Sequence, residues 1–229
     1  MWIPQLPATL HWDHNEHYHR WLLRQLPDSP GRVLDVGCGA GLLASRMAGR
    51  AGQVDGVDRS AAMIEQARFR YPPGARLHWI AGDLLDPRLP LAPGGYDAVT
   101  ALSSLHHLPL RAGLARLASL VRPGGVLAVV GLYRDATVAD YAFEPVSVAA
   151  NWAMGAALRL RRHEAPSRAV LAEAAPNHEH MPVLGAQDTL PDIRAAAREL
   201  TPGAQIRRCA FWRYSLAWHR PQSSAPGRR

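Results

Sequence analysis

Five short runs rich in valine, leucine and isoleucine recur along the first 131 residues, at 32–36, 53–57, 76–80, 97–101 and 126–131. Each is bounded by Gly, Pro or Asp, and segments with helical spacing lie between them, at 42–50, 61–70 and 110–121. In the last of these, Leu110, Leu114, Leu117, Ala118 and Val121 form one apolar stripe, and Ser60 is a fitting N-cap for the helix at 61–70. Alternation of this kind builds strand–helix units around a parallel sheet, an α/β fold, because each crossover helix must bury its stripe against the strands.

The flanks follow other patterns. A helix is predicted over 15–26 with Tyr18, Trp21, Leu22 and Leu26 on one side, ended by the segment 27–31. Residues 135–182 break the alternation with small and aromatic residues and read as a helical cap over the carboxyl edge of the sheet. A helix at 191–200, a Pro202-Gly203 break and two strand-like runs at 205–210 and 212–218 then complete the sheet, and the tail 221–229 reads as disordered. The expected division is an N-terminal helical cap at 1–30, a ligand-binding core at 31–134, a cap or substrate insertion at 135–182, the end of the sheet at 183–220, and the tail.

With 229 residues, 48% of them hydrophobic and 20% charged, the chain can bury a core. All 26 basic residues are arginine, and 26 less 19 acidic residues gives a net charge of +7. The absence of lysine excludes Schiff-base chemistry and a P-loop lysine. The arginines are scattered along the chain, and nothing in their order concentrates charge as a nucleic-acid footprint does, which argues against nucleic acid as partner. Cys38 and Cys209 cannot build a disulfide scaffold. The start, MWIPQLPATLHWDH, lacks the features of a signal peptide, and the longest uncharged stretch, 145–158, is too short to cross a bilayer. The expectation is a soluble protein in a reduced, cytoplasmic setting, with no membrane span, as a monomer or homodimer.

The densest information lies in VLDVGCGAG, 33–41, where an apolar strand ends in Gly37, Gly39 and Gly41 and a helix opens directly after. Such a turn brings backbone N–H groups to the crevice where ligands of open α/β sheets bind. The spacing is G-x-G-x-G with Asp35 two positions ahead, not the G-x-G-x-x-G of dinucleotide binders, which favours S-adenosylmethionine over a nicotinamide cofactor. The second strand ends at Asp58, 17 residues after Gly41, where an acceptor-only carboxylate can take both ribose hydroxyls. The third is followed by Gly82 and Asp83, the acid placed for an exocyclic amine and the glycine leaving the ring clear.

These stretches, with VDGVDRS at 54–60, AGDLLD at 81–86, YDAVTALSSLHHL at 96–108 and LVRPGGVLAVV at 120–130, resemble the class I S-adenosylmethionine-dependent methyltransferases, and within them the small-molecule, ubiquinone/menaquinone-type branch. The resemblance spans about residues 30 to 131. It implies a Rossmann-like, doubly wound, seven-stranded sheet with an antiparallel last strand. It further implies that Asp35, Gly37, Cys38, Gly39 and Gly41 line the methionine part of S-adenosylmethionine, that Asp58 holds the ribose with Arg59 beside it and Met63 against the adenine, that Gly82, Asp83 and Leu84 address the adenine, and that Ala101, Leu102 and Ser103 pass beneath the methionyl group. S-adenosylhomocysteine is then the product.

Methyl transfer from a sulfonium needs no acid for the leaving group, so orientation can supply most of the acceleration with one base or none. His106 and His107 follow the fourth strand at the active edge and are candidate bases, with packing beside the cofactor and helix capping as the competing roles. Tyr18 and His19 on the N-terminal helix are candidates for closing over the cofactor and touching the acceptor. His14 and His17, three residues apart, complete no metal motif, and no metal is expected. Tyr141, Phe143, Trp152 and Met154 in the cap suit an apolar or aromatic acceptor, or equally a dimer interface. Methyl transfer to a small organic acceptor is the expected function. Methylation of tRNA or rRNA, motivated by the charge, and a non-methylating role for the bound cofactor are the alternatives.

Overall fold

A computed structural model describes residues 14–163 and 185–222. The elements run α1 His14–Gln25, β1 Arg32–Val36, α2 Leu42–Ala48, β2 Gln53–Asp58, α3 Ala61–Arg70, β3 Leu77–Ala81, β4 Tyr96–Leu102, α4 Leu110–Leu120, β5 Val121–Leu132, α5 Val138–His163, α6 Leu190–Leu200, β6 Gln205–Cys209 and β7 Arg213–His219. They form one seven-stranded sheet in the order β3-β2-β1-β4-β5-β7-β6. β1 to β5 pair in parallel, and β7 runs antiparallel to both β5 and β6. The sequence alternation therefore produces the parallel α/β sheet it predicts, and the seven strands with the last one reversed are those the family resemblance implies.

Odd and even residues of the central strands serve opposite faces, as the two-residue strand period requires. Val33, Val54, Ala98, Ala128 and Val130 pack with Tyr18, Leu22, Met47, Ile64 and Ala67, placing α1, α2 and α3 on one side. Leu34, Val36, Val99, Leu127 and Val129 pack with Leu114, Leu117, Ile193 and Ala197, placing α4 and α6 on the other. Ser60 caps α3 through a bond from the Met63 N–H, as its sequence predicts, and Thr189 caps α6 in a reciprocal box with Asp192.

Boundaries shift where turn chemistry intervenes. α2 ends at Ala48, short of the predicted 50, because the Met47 carbonyl takes both the Arg50 and Ala51 N–H groups. β5 starts at Val121, five residues earlier than predicted. Val121 already pairs with Tyr96, and the register then shifts before Ala98 pairs with Val126. The predicted cap is represented by α5. Thr137 and Asp140 cap its first turn, Asp140 pairs with Arg208 of β6, and Asn151 Oδ1 accepts from His14 Nε2 of α1 at 2.9 Å. The expected rest of the cap to Pro182, the first thirteen residues and the tail from 223 lie outside the described residues, as do the side chains of Tyr141 and Phe143. Among the described residues no helix is long and apolar enough to cross a membrane.

Below the site, four strands meet at one buried carboxylate. Asp55 on β2 accepts from Arg32 Nη2 on β1 at 2.7 Å, from Gln53 Nε2 at 2.7 Å and from the Tyr96 hydroxyl on β4 at 2.8 Å, and His78 Nδ1 on β3 lies 3.2 Å away. Burial resists its ionisation, yet the Gln53 and Tyr96 hydrogen bonds and the Arg32 charge outweigh that and hold its carboxyl below the usual range. Removing the carboxylate leaves the buried Tyr96 hydroxyl without its acceptor and Arg32 without its partner, so Asp55→Ala should cost about 1–3 kcal/mol. A urea midpoint lowered at unchanged slope checks this, and a loss under about 1 kcal/mol would overturn the role of Asp55 as a hub.

Candidate active site

The turn between β1 and α2 carries the three glycines at φ +69°, +52° and +86°. At Gly37 no other residue fits, since a Cβ would stand 2.3 Å from the Ser104 Cβ. At Gly39 a Cβ would meet nothing within 4 Å, so the loop is packed on its inner side and open on the other. The Gly37 and Cys38 N–H groups both donate to the Val57 carbonyl of β2, at 2.8 and 3.1 Å. The Gly39 N–H donates to Asp58 Oδ2 at 2.9 Å, while Asp58 Oδ1 takes the Ser60 N–H at 2.8 Å. One carboxylate thereby ties the loop to the tip of β2 and opens α3, and each of its oxygens keeps a second lone pair for a ligand.

Asp35 does not lie on the open side. It is 1% exposed beneath the loop, where the Thr100 hydroxyl donates to Oδ1 at 2.9 Å. Burial pushes its carboxyl up to about 7, with the Thr100 bond opposing and the Asp58 charge adding. Cys38 is also buried, and burial, then Asp35 and Asp58, drive its thiol far from ionisation. It contributes backbone to the turn, not a nucleophile.

At the tip of β3, Asp83 Oδ1 accepts the Leu85 N–H at 2.9 Å, and the Gly82 N–H donates to the Asp58 carbonyl at 2.9 Å. A Cβ at Gly82 would lie 2.6 Å from Leu89, and Leu84 and Met63 are buried close by in sequence to these tips. Arg59 is exposed. The glycine loop, Asp58 and Asp83 thus stand at the ends of adjacent strands on one edge.

β4 leads through Ala101 and Leu102 into Ser103, a non-glycine residue at φ +50°, then Ser104 and a 3₁₀ turn, Leu105–His107. The His106 and His107 rings lie 4.0 Å apart at 42°, each with a buried Nδ1 that has no partner. Burial, then His107 and Arg213, pushes His106 down to about 4. His107 is lowered by burial and Arg59, with Asp58 opposing. Among the described residues neither ring has the hydrogen-bonded carboxylate that orients the base of a catalytic triad.

α1 closes this edge. The Tyr18 hydroxyl donates to the Ala210 carbonyl, His19 Nδ1 lies 2.8 Å from the Arg46 guanidinium, and His14 and His17 stand edge-on to Phe211. Tyr18 and His19 are both buried, so each packs between α1 and its neighbours. Among the described residues no cluster of three metal-ligating side chains occurs. Four residues that sequence reasoning did not single out shape the site: Thr100 under Asp35, Ser104 over Gly37, Trp79, whose ring fills the space beside Gly41 and Gly56, and Asn15, which bonds Ser103 at 2.8 Å. The paired serines after a strand were the available signal; the others depend on packing.

The high carboxyl pKa of Asp35 has a definite sign. Folded Asp35 keeps its proton up to about pH 7 and the unfolded chain loses it near 4, so this group's stability is full at low pH and lost as pH rises. Asp35→Asn should melt close to the parent at about pH 4 and progressively higher than it toward pH 8. A lower melting temperature at pH 8 would overturn the assignment.

The comparisons with known proteins agree with this geometry. Residues 33–125 match the methyltransferase domain family. An uncharacterized methyltransferase of Mycobacterium bovis is 35% identical over 215 residues, covering 92% of this chain and 98% of the relative. A ubiquinone biosynthesis O-methyltransferase of Thiobacillus denitrificans is 36% identical over 125 residues, 51% of each chain. In fold, the magnesium protoporphyrin IX methyltransferase of Synechocystis, solved with bound S-adenosylmethionine, superposes with a TM-score of 0.55 at 20% identity over 94% of this chain and 85% of that one. A Haemonchus contortus phosphoethanolamine N-methyltransferase gives 0.60 at 16% identity over 90% and 53%. With a strand-tip carboxylate holding a glycine loop that is open on one side, and a relative matched over nearly its whole length, the chain belongs to the class I S-adenosylmethionine-dependent methyltransferases.

Proposed function

We propose that the protein methylates a small organic acceptor with an apolar or aromatic body, held at the carboxyl edge beneath α1 and α5. The observation that carries this is the free side of the loop at Gly39, next to an Asp58 with acceptor capacity to spare and with Asp83 on the adjacent strand tip. These residues fit an adenosine with an amino-acid tail. Gly37, Gly39 and Gly41 hold the tail, Asp58 the ribose, and Asp83 and Leu84 the adenine, with Met63 and Arg59 flanking it and Ala101 to Ser103 beneath. Half-buried Met154 and the exposed Trp152 on α5 support an apolar acceptor, in keeping with the Thiobacillus relative, an O-methyltransferase of ubiquinone biosynthesis.

The bound donor supplies an electrophilic methyl whose leaving group is a neutral thioether. The protein's task is therefore to align the acceptor and exclude water. In this reading His106 faces the acceptor. With a pKa of about 4 the ring is neutral at physiological pH, and its lone pair is free to accept a hydrogen bond from a hydroxyl. It is too weak a base to strip that proton in advance, and it takes the proton only as the oxygen becomes acidic during bond formation. His107 packs against it, and Tyr18 and His19 set the position of α1.

Calorimetry with S-adenosylhomocysteine tests the donor site. Parent protein should bind it, and Asp58→Ala should weaken binding about tenfold or more, the worth of hydrogen bonds to a charged group. No binding by the parent, or an indifferent Asp58→Ala, would refute the reading. Labelled donor with a panel of phenols and quinols then tests the chemistry. His106→Ala should lose about 10- to 100-fold in kcat, at the low end of general-base effects, and the parent's acid limb should fall near pH 4 and not near 6.5.

A further inference from the structure

Three elements distant in the chain converge on one side-chain oxygen. Asn15 Oδ1, in the first turn of α1, accepts the Ser103 Oγ–H at 2.8 Å from the end of β4 and an Arg213 Nη2–H at 2.7 Å from the start of β7. Ser103 sits at φ +50°, which costs a non-glycine residue about 1–2 kcal/mol. Its N–H is tied to the Val130 carbonyl at 2.7 Å, so the backbone is held from β5 and the side chain from α1. The next residue, Ser104, donates its hydroxyl to the Val36 carbonyl at 2.8 Å, covers Gly37, and accepts the His107 N–H at 3.1 Å. The strained turn is thus joined to the glycine loop on one side and to the histidine turn on the other.

Arg213 is itself buried and held, with Nη1 donating to the Phe211 carbonyl at 3.2 Å and the guanidinium 5.9 Å from the Tyr18 ring. A carbonyl oxygen taking two donors, one of them charged, is a stiff contact.

We propose that Asn15 is a positioning residue: its carbonyl oxygen holds Ser103 in the left-handed conformation and thereby sets Ser104 over the glycine loop and the orientation of His106. α1 is then a working part of the site. The consequence for the donor rests on the reading of the loop given above; the consequence for the turn does not.

Hydrogen exchange and S-adenosylhomocysteine calorimetry on the full chain separate the two. Asn15→Ala should speed exchange of the 103–107 amides about tenfold while β2 and β3 amides stay unchanged, and should weaken S-adenosylhomocysteine about tenfold. Asn15→Asp, which keeps the oxygen and pairs with Arg213, should restore both to within about threefold of the parent. Ser103→Ala, which removes the donor and leaves α1 intact, should reproduce the exchange change. Adding Ser103→Gly to Asn15→Ala should recover affinity, because glycine adopts the left-handed region without penalty. Parent-like exchange at 103–107 in both Asn15→Ala and Ser103→Ala would overturn the proposal, as would a loss of affinity that Ser103→Gly fails to recover. If the parent binds no S-adenosylhomocysteine, the reading of the loop falls and the exchange data alone decide the role of Asn15.

Discussion

The turn from Gly37 to Gly41 leaves no room for side chains on its inner side, and much of the molecule is arranged to keep it so. Ser104 comes down over Gly37 from β4, Trp79 of β3 fills the space beside Gly41, and Asp58 of β2 takes the Gly39 N–H. Three strands therefore converge on five residues of backbone. The outer side is left free, and this asymmetry is what makes the loop a cradle instead of a packed turn. Because the loop carries almost no side chains, its shape is set by its neighbours, which explains why residues on β3 and β4 matter to a motif that lies between β1 and α2.

Three aspartates on neighbouring strands meet three different fates, decided by their bonding partners. Asp55 is as buried as Asp35, but it has a guanidinium, an amide and a phenol around it and stays ionised. Around Asp35 the Thr100 hydroxyl and the Ala44 N–H favour the charged form but do not offset burial, which pushes its carboxyl up to about 7. Asp58, at the surface of the edge, spends its charge on two backbone N–H groups. The one beneath the loop is thus only partly ionised at neutral pH, and the one at the strand tip ties the loop to β2 and α3.

Much of this was legible in the order of residues. The glycine spacing, the strand-end acids at 58 and 83 and the His-His pair depend on local pattern, and local pattern survives in sequence. The α3 boundaries and the Ser60 cap were legible for the same reason. The early start of β5 was not, because pairing of Val121 with Tyr96 is a contact between strands, and nothing in VRPGG announces it. Nor was the burial of Asp35, which depends on α2 and Thr100 closing over it. The partners of Tyr18 and His19 were not legible either, because a helix pattern says which side is apolar and not which neighbour that side meets: Ala210 and Arg46 lie 192 and 27 residues away.

The sequence by itself determined the alternating α/β architecture, the loop that can cradle a ligand, and the exclusion of lysine chemistry, since periodicity, glycine spacing and composition need no partner to be read. Tertiary structure alone decided which carboxylate is charged, which histidine is neutral, and how a polar residue on α1 comes to brace a strained serine on β4. Those properties belong to distances between segments, and protonation and strain respond to the dielectric and the hydrogen bonds that only folding brings together.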